Sequence, residues 1–89
     1  MPLNPRRAFN AVLEGPLRHN DDGMWALYEG DEELTYWDEG QPIELQLDGT
    51  WRKGTIAWID DAYGVALENG EAQAIAPGTL ARRRVGGSV

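Results

Sequence analysis

A chain of 89 residues, 42% of them hydrophobic, with a mean hydropathy of −0.51, suits one small soluble domain. Having no cysteine, it can form neither disulfides nor a thiolate metal site, and no apolar run approaches the roughly 20 residues of a membrane span. A formal net charge of −7 disfavours nucleic acid as a partner and favours basic ones.

The charge is unevenly placed. Residues 21–50 hold ten carboxylates and not one Lys or Arg. The densest part, Asp31, Glu32, Glu33, Asp38 and Glu39, reads either as solvated turn punctuation or as a functional acidic surface. No signal-peptide core precedes a cleavage site, so the expected location is the cytoplasm. Residues 1–85 are read as a single domain and 86–89, Gly-Gly-Ser-Val, as a flexible tail.

In chain order, Asn4-Pro5 supplies an N-cap and a first-turn proline, and Gly15 a helix stop. With Ala8, Phe9, Val12 and Leu13 on one stripe, the pattern predicts a short α-helix over about 5–14, docked on the rest by Phe9 and Leu13. Pro16 to His19 is a short strand or lead-in, and residues 20–23 form a turn. Met24 to Glu29 is a strand partly covered on both faces, and Glu33 to Trp37 a shorter one. Of Trp25 and Trp37, one is expected on the wet face or against the helix.

Ile43, Leu45 and Leu47 alternate with Glu44, Gln46 and Asp48, the period of a strand with one dry face. A two-residue Asp48-Gly49 turn would set Leu45 against Arg52. A three-residue loop, Asp48-Gly49-Thr50, sets Leu47 against Trp51 and keeps the dry face apolar, so it is the expected register. Along Trp51 to Ile59 the inward phase moves from Trp51 to Ile56 and Trp58, which predicts a bulge at Gly54. Asp60-Asp61-Ala62 turns into a strand with Tyr63, Val65 and Leu67. Asn69-Gly70, whose residues both tolerate positive φ, turns into a weak strand over 71–76. Pro77-Gly78-Thr79 is a tight turn or one turn of 3₁₀ helix, and Leu80 to Val85 closes the chain as a short strand. The sum predicts a mainly β fold: a small SH3-like barrel of about five strands, with extra N-terminal strands and the helix.

The segments Gly15-Pro16-Leu17, Trp25-Ala26-Leu27, Glu33-Leu34-Thr35, Gly40 to Leu45, Asp48 to Trp51, Gly54-Thr55-Ile56, Tyr63 and Gly78 to Arg82 resemble a family of small bacterial proteins carried on plasmids, phages and other mobile elements. That family's domain has no known function, and its members usually carry Arg where Thr55 stands here. The resemblance covers most of the chain from about Gly15 to Arg84 and implies a fold and a mobile-element setting, but no activity. The central segment also looks like Tudor and other SH3-like barrels.

Little here can do covalent chemistry. There is one His (His19), one Ser (Ser88) and no Cys, so no nucleophile–base pair is available. The acid pairs sit on predicted turns and match no calcium loop. No cofactor or metal is implied. Trp51, Trp58 and Tyr63 lie on neighbouring strands with Asp60 and Asp61 between them. They read as core, as an exposed protein-binding groove, or as a cage for a cationic side chain. Arg82, Arg83 and Arg84 read as a phosphate contact, as partners for the acidic arc, or as guards on an edge strand. The leading expectation is a non-enzymatic adaptor acting through protein contacts. The alternatives are an acidic inhibitor of a nucleic-acid enzyme and a weak nucleic-acid binder through the arginines.

Overall fold

The structure, a computed structural model, describes residues 12–84. Its strands are β1 (Val12–Pro16), β2 (Arg18–His19), β3 (Trp25–Glu29), β4 (Glu32–Tyr36), β5 (Pro42–Leu47), β6 (Thr50–Ile59), β7 (Ala62–Leu67), β8 (Ala72–Gln73) and β9 (Leu80–Arg84). All pairings are antiparallel. Six strands form one sheet in the order β1-β9-β5-β6-β7-β8, and three form a second in the order β2-β3-β4. No helix occurs among the described residues, and none there could cross a membrane. The helix expected over 5–14 is overturned at its C-terminal end: Val12, Leu13 and Glu14 pair with Arg84, Arg83 and Arg82 in β1. Residues 5–11, like the tail over 86–89, lie outside the described residues.

The β5–β6 hairpin departs from its expected register. Leu47 stands opposite Thr50 and Leu45 opposite Arg52, so the loop is the two-residue Asp48-Gly49. Both turn residues have positive φ, 51° and 79°. That geometry matches the right-handed twist of the strands, and it outweighs the cost of an arginine on the dry face. The cost is small because Arg52 is long. Its head reaches out to Glu71 at 3.7 Å, while its backbone stands opposite the buried Leu45.

No bulge interrupts β6 at Gly54. The ladder runs without a break against β5 and then β7. The phase never changes, because Trp51 faces away from the core while Gly54, Ile56 and Trp58 share the core side. Gly54 is required for close approach instead: a Cβ there would lie 2.5 Å from the Ala66 carbonyl oxygen and closer still to Val65 Cγ1. The irregularity in the fold falls elsewhere, between Leu27 and Tyr28 where β3 pairs β4.

The turn at Asn69-Gly70 forms with a different geometry from that expected. Only Gly70 has positive φ. The Gly70 amide donates to the Leu67 carbonyl and the Leu67 amide to the Glu71 carbonyl, a three-residue loop in which Gly70 alone takes the left-handed position. Asn69 Oδ1 accepts from the Glu71 amide, fixing the turn from its side chain. The weak strand after it shrinks to the two residues of β8.

The two sheets share one core. Leu17, Trp25, Leu27 and Trp37 pack with Ile43, Leu45, Ile56, Val65, Leu67 and Ala81. Leu47, Leu13, Tyr63 and Ile75 close its margins half-buried. Both Trp25 and Trp37 are buried, so neither lies on a wet face. Each indole meets the opposite sheet: Trp25 Nε1 donates to the Tyr63 carbonyl at 2.8 Å, and Trp37 Nε1 to the Pro42 carbonyl at 2.9 Å. Gly54→Ala is expected to lower stability by about 2–3 kcal/mol, because β6 and β7 must part to admit the methyl. Urea unfolding monitored by tryptophan fluorescence would measure it.

Candidate functional site

The β6–β7 turn stands at the mouth of a concavity with largely apolar walls. Asp60 and Asp61 fill this two-residue turn with φ of 51° and 67°, and both are exposed. The left-handed region suits Asp better than most residues, since its short side chain can bond locally. Trp58 and Tyr63 face each other across the hairpin just before the turn, ring centroids 4.8 Å apart and planes at 79°. Trp58 lies on the core side of β6 but past the end of the core, so 55% of it is exposed. That is unusual for a tryptophan on a dry face.

A cavity of about 420 Å³ opens on the Tyr63 side of this pair, walled by His19, Trp25, Ile59, Asp60, Tyr63, Ile75 and Pro77, with small alanines and Gly64 between them, while Trp58 stands outside the lining. His19 stacks on Trp25 at 3.8 Å with the planes 29° apart. One sheet therefore supplies the His19–Trp25 wall, the other supplies Ile59 and Tyr63, and the β8–β9 connection supplies Ile75 and Pro77. The size and the mixture of aromatic, aliphatic and single acidic groups are those of a small recognition pocket.

Of the aromatic trio read from the sequence, the structure brings Trp58 and Tyr63 together and sets Trp51 apart. Trp51 lies on the outer face of β6, half-buried under the Arg82 guanidinium, which sits 4.2 Å from its ring centroid. Sequence reasoning missed His19, Ile59, Ile75 and Pro77 as walls. They come from three separate stretches, and no spacing rule links them.

The five arc carboxylates, Asp31, Glu32, Glu33, Asp38 and Glu39, are all exposed. None makes an ion pair among the described residues. Glu33 accepts one hydrogen bond, from Asn20 Nδ2 at 3.0 Å. Glu32 stands directly opposite Glu29. No group of three or more candidate metal ligands occurs among the described residues.

The three arginines differ from one another. Arg82 Nε donates to Glu44 Oε1 at 2.8 Å, and its plane covers Trp51. Arg83 reaches the second sheet, donating from Nη1 to Thr35 Oγ1 at 3.1 Å and to the Tyr36 carbonyl. Its guanidinium also lies 5.5 Å from the Trp37 ring centroid. Arg84 is mostly exposed and lies 3.5 Å from Glu44 Oε2. Arg82 and Arg83 therefore each also hold part of the fold together. The sequence signal that could have shown this is Glu44, the isolated acid on the wet face of β5.

No family model matches the chain, and no curated protein or solved structure matches it either.

Arg83→Ala removes a bridge between the sheets and is expected to cost about 1.5–3 kcal/mol. Arg84→Ala should stay within about 0.5 kcal/mol, as exposed substitutions do. Chemical denaturation of the two variants side by side would check the difference.

Proposed function

We propose that this chain is a non-enzymatic binding module that captures a segment of another protein at the β6–β7 end. In this reading its two sheets are a form of SH3-like barrel, and the mobile-element resemblance describes its setting. The observation that carries the proposal is Trp58, 55% exposed, paired edge-to-face with Tyr63, which itself walls the cavity, next to a turn of two exposed aspartates. An exposed tryptophan next to a pocket costs solubility unless something covers it, and Trp and Tyr dominate binding energy where they are covered.

The chemistry of the rim selects the occupant. Asp60 and Asp61 favour a cation, while Trp58, Tyr63, Ile59 and Ile75 favour an apolar neighbour to it. A peptide pairing Lys or Arg with an aromatic or branched apolar residue meets both demands. The overall charge of −7 draws such a partner in from a distance.

A second reading has its own observation. Five exposed carboxylates, unpaired among the described residues, suit an inhibitor that covers the basic nucleic-acid-binding surface of an enzyme. It differs from the first in its surface and in its salt dependence.

An array of short peptides probed with the labelled protein should be enriched in the basic-plus-apolar pairing. Trp58→Ala should weaken the best binder about tenfold or more, with the urea midpoint little changed because the ring is largely outside the core. Binding indifferent to Trp58→Ala and Tyr63→Ala would overturn the first reading. Loss of binding on reversing Asp31, Glu32 and Glu33, with Trp58→Ala silent, would favour the second.

A further inference from the structure

We infer that the cleft where β5 and β9 part is a second binding site, for the oxyanion group of a small ligand. It is separate from the aromatic end and does not rest on it. The two strands are paired only at Glu44–Arg82 and Leu45–Ala81, although β5 begins at Pro42 and β9 runs on to Arg84. The reason they separate is local. Pro42 has no amide hydrogen to give, and its carbonyl is already taken by Trp37 Nε1. Beyond Glu44 the ladder has nothing to continue with, and a cavity of about 350 Å³ opens, at the lower end of the range for small-molecule sites.

The floor of this cleft is Pro42, Ile43 and the bare backbone of Gly54. Three cations lie on its rim. Arg82, Arg84 and Lys53 gather around Glu44: Arg82 and Arg84 at 2.8 and 3.5 Å, and Lys53 as its neighbour across the β5–β6 ladder. Lys53 makes no ion pair among the described residues. Glu14, opposite Arg82 on β1, and Glu68, whose amide donates to the Lys53 carbonyl, are exposed acids at the margins, and Arg83, also lining the cleft, turns its head to the second sheet. Arg82 and Arg84 thus share one mostly covered carboxylate, and neither of the exposed acids, Glu14 and Glu68, pairs with any of the three cations among the described residues.

At physiological salt, fields fade over about 8 Å, so a ligand in the cleft senses the rim rather than the distant acidic arc. Arg82 uses a single N–H on Glu44, leaving the ends of its guanidinium fork for a ligand. An oxyanion there would take the N–H groups that Arg82, Arg84 and Lys53 leave free, and the apolar floor would take a carbon skeleton attached to it. A phosphomonoester and an organic carboxylate share this chemistry. Long nucleic acid does not suit a short cleft in a protein that repels polyanions at range.

The test is an amide-resolved NMR titration of the full chain at fixed ionic strength with inorganic phosphate, with benzoate, and with chloride as reference. Saturable shifts at Ile43, Gly54 and Arg82 to Arg84, with a dissociation constant of about 1 mM or tighter, are expected for phosphate or benzoate. The better of the two identifies the headgroup. Lys53→Ala and Arg84→Ala, both at exposed residues, should each weaken it at least threefold, while peptide binding at Trp58 stays unchanged. Shifts that track chloride, or that survive both substitutions, would overturn the site. So would a DNA oligonucleotide that binds the same amides more tightly than either anion.

Discussion

Two buried indoles hold this fold together. Trp25 and Trp37 belong to the three-stranded side, and each gives its N–H to a carbonyl of the six-stranded side, at Tyr63 and Pro42. A buried indole must find an acceptor or forfeit the hydrogen bond it made to water. Here the acceptors lie across the layer boundary, so satisfying the rings also fixes how the layers sit. Hydrophobic burial supplies the attraction and is indifferent to alignment, whereas the two N–H bonds set the alignment. Arg83 adds a third tie from β9 to Thr35 and Tyr36. In a domain this small, where burial alone leaves a thin margin, three directional contacts between layers count heavily.

Much of the element order was legible from periodicity and turn residues. Period-two alternation at 43–47 and 63–67, and the punctuation at Asp48-Gly49, Asp60-Asp61 and Asn69-Gly70, place the central strands within a residue or two. Registers were less legible. The rule that keeps arginine off a dry face failed at Arg52, since a long side chain can start opposite a buried leucine and still reach Glu71. The same misjudged phase made Trp51 an inward residue and Gly54 a bulge. Helix signals over 5–14 were locally sound, yet at 12–14 the free edge of β9 captured the chain, as tertiary pairing often overrides local preference.

The candidate site was half legible. Trp58, Tyr63, Asp60 and Asp61 follow from adjacency within a hairpin, which sequence reveals. His19, Ile75 and Pro77 reach the same place through chain crossings that it does not. The arginine triplet was the opposite case: one run of like residues, three separate structural roles. Alternation along β9 sends Arg82 and Arg84 to Glu44 and Arg83 to the neighbouring layer. Along one hairpin the molecule thus places acid and aromatic surface where β6 ends and, where β6 passes Gly54, cations interleaved with Glu44, Glu68 and Glu71.

Asp60 and Asp61 deserve comparison with the Asp48-Gly49 turn, where glycine takes half of the left-handed conformation without penalty. At the β6–β7 corner both residues bear a Cβ, and each such residue sits about 1 kcal/mol above a relaxed backbone. Asn-Gly would fold that corner more comfortably and carry no charge. Selection for foldability by itself would therefore drift this turn toward neutrality. The paired acids there are a standing departure from the easiest solution, made at the one corner that borders an uncovered tryptophan.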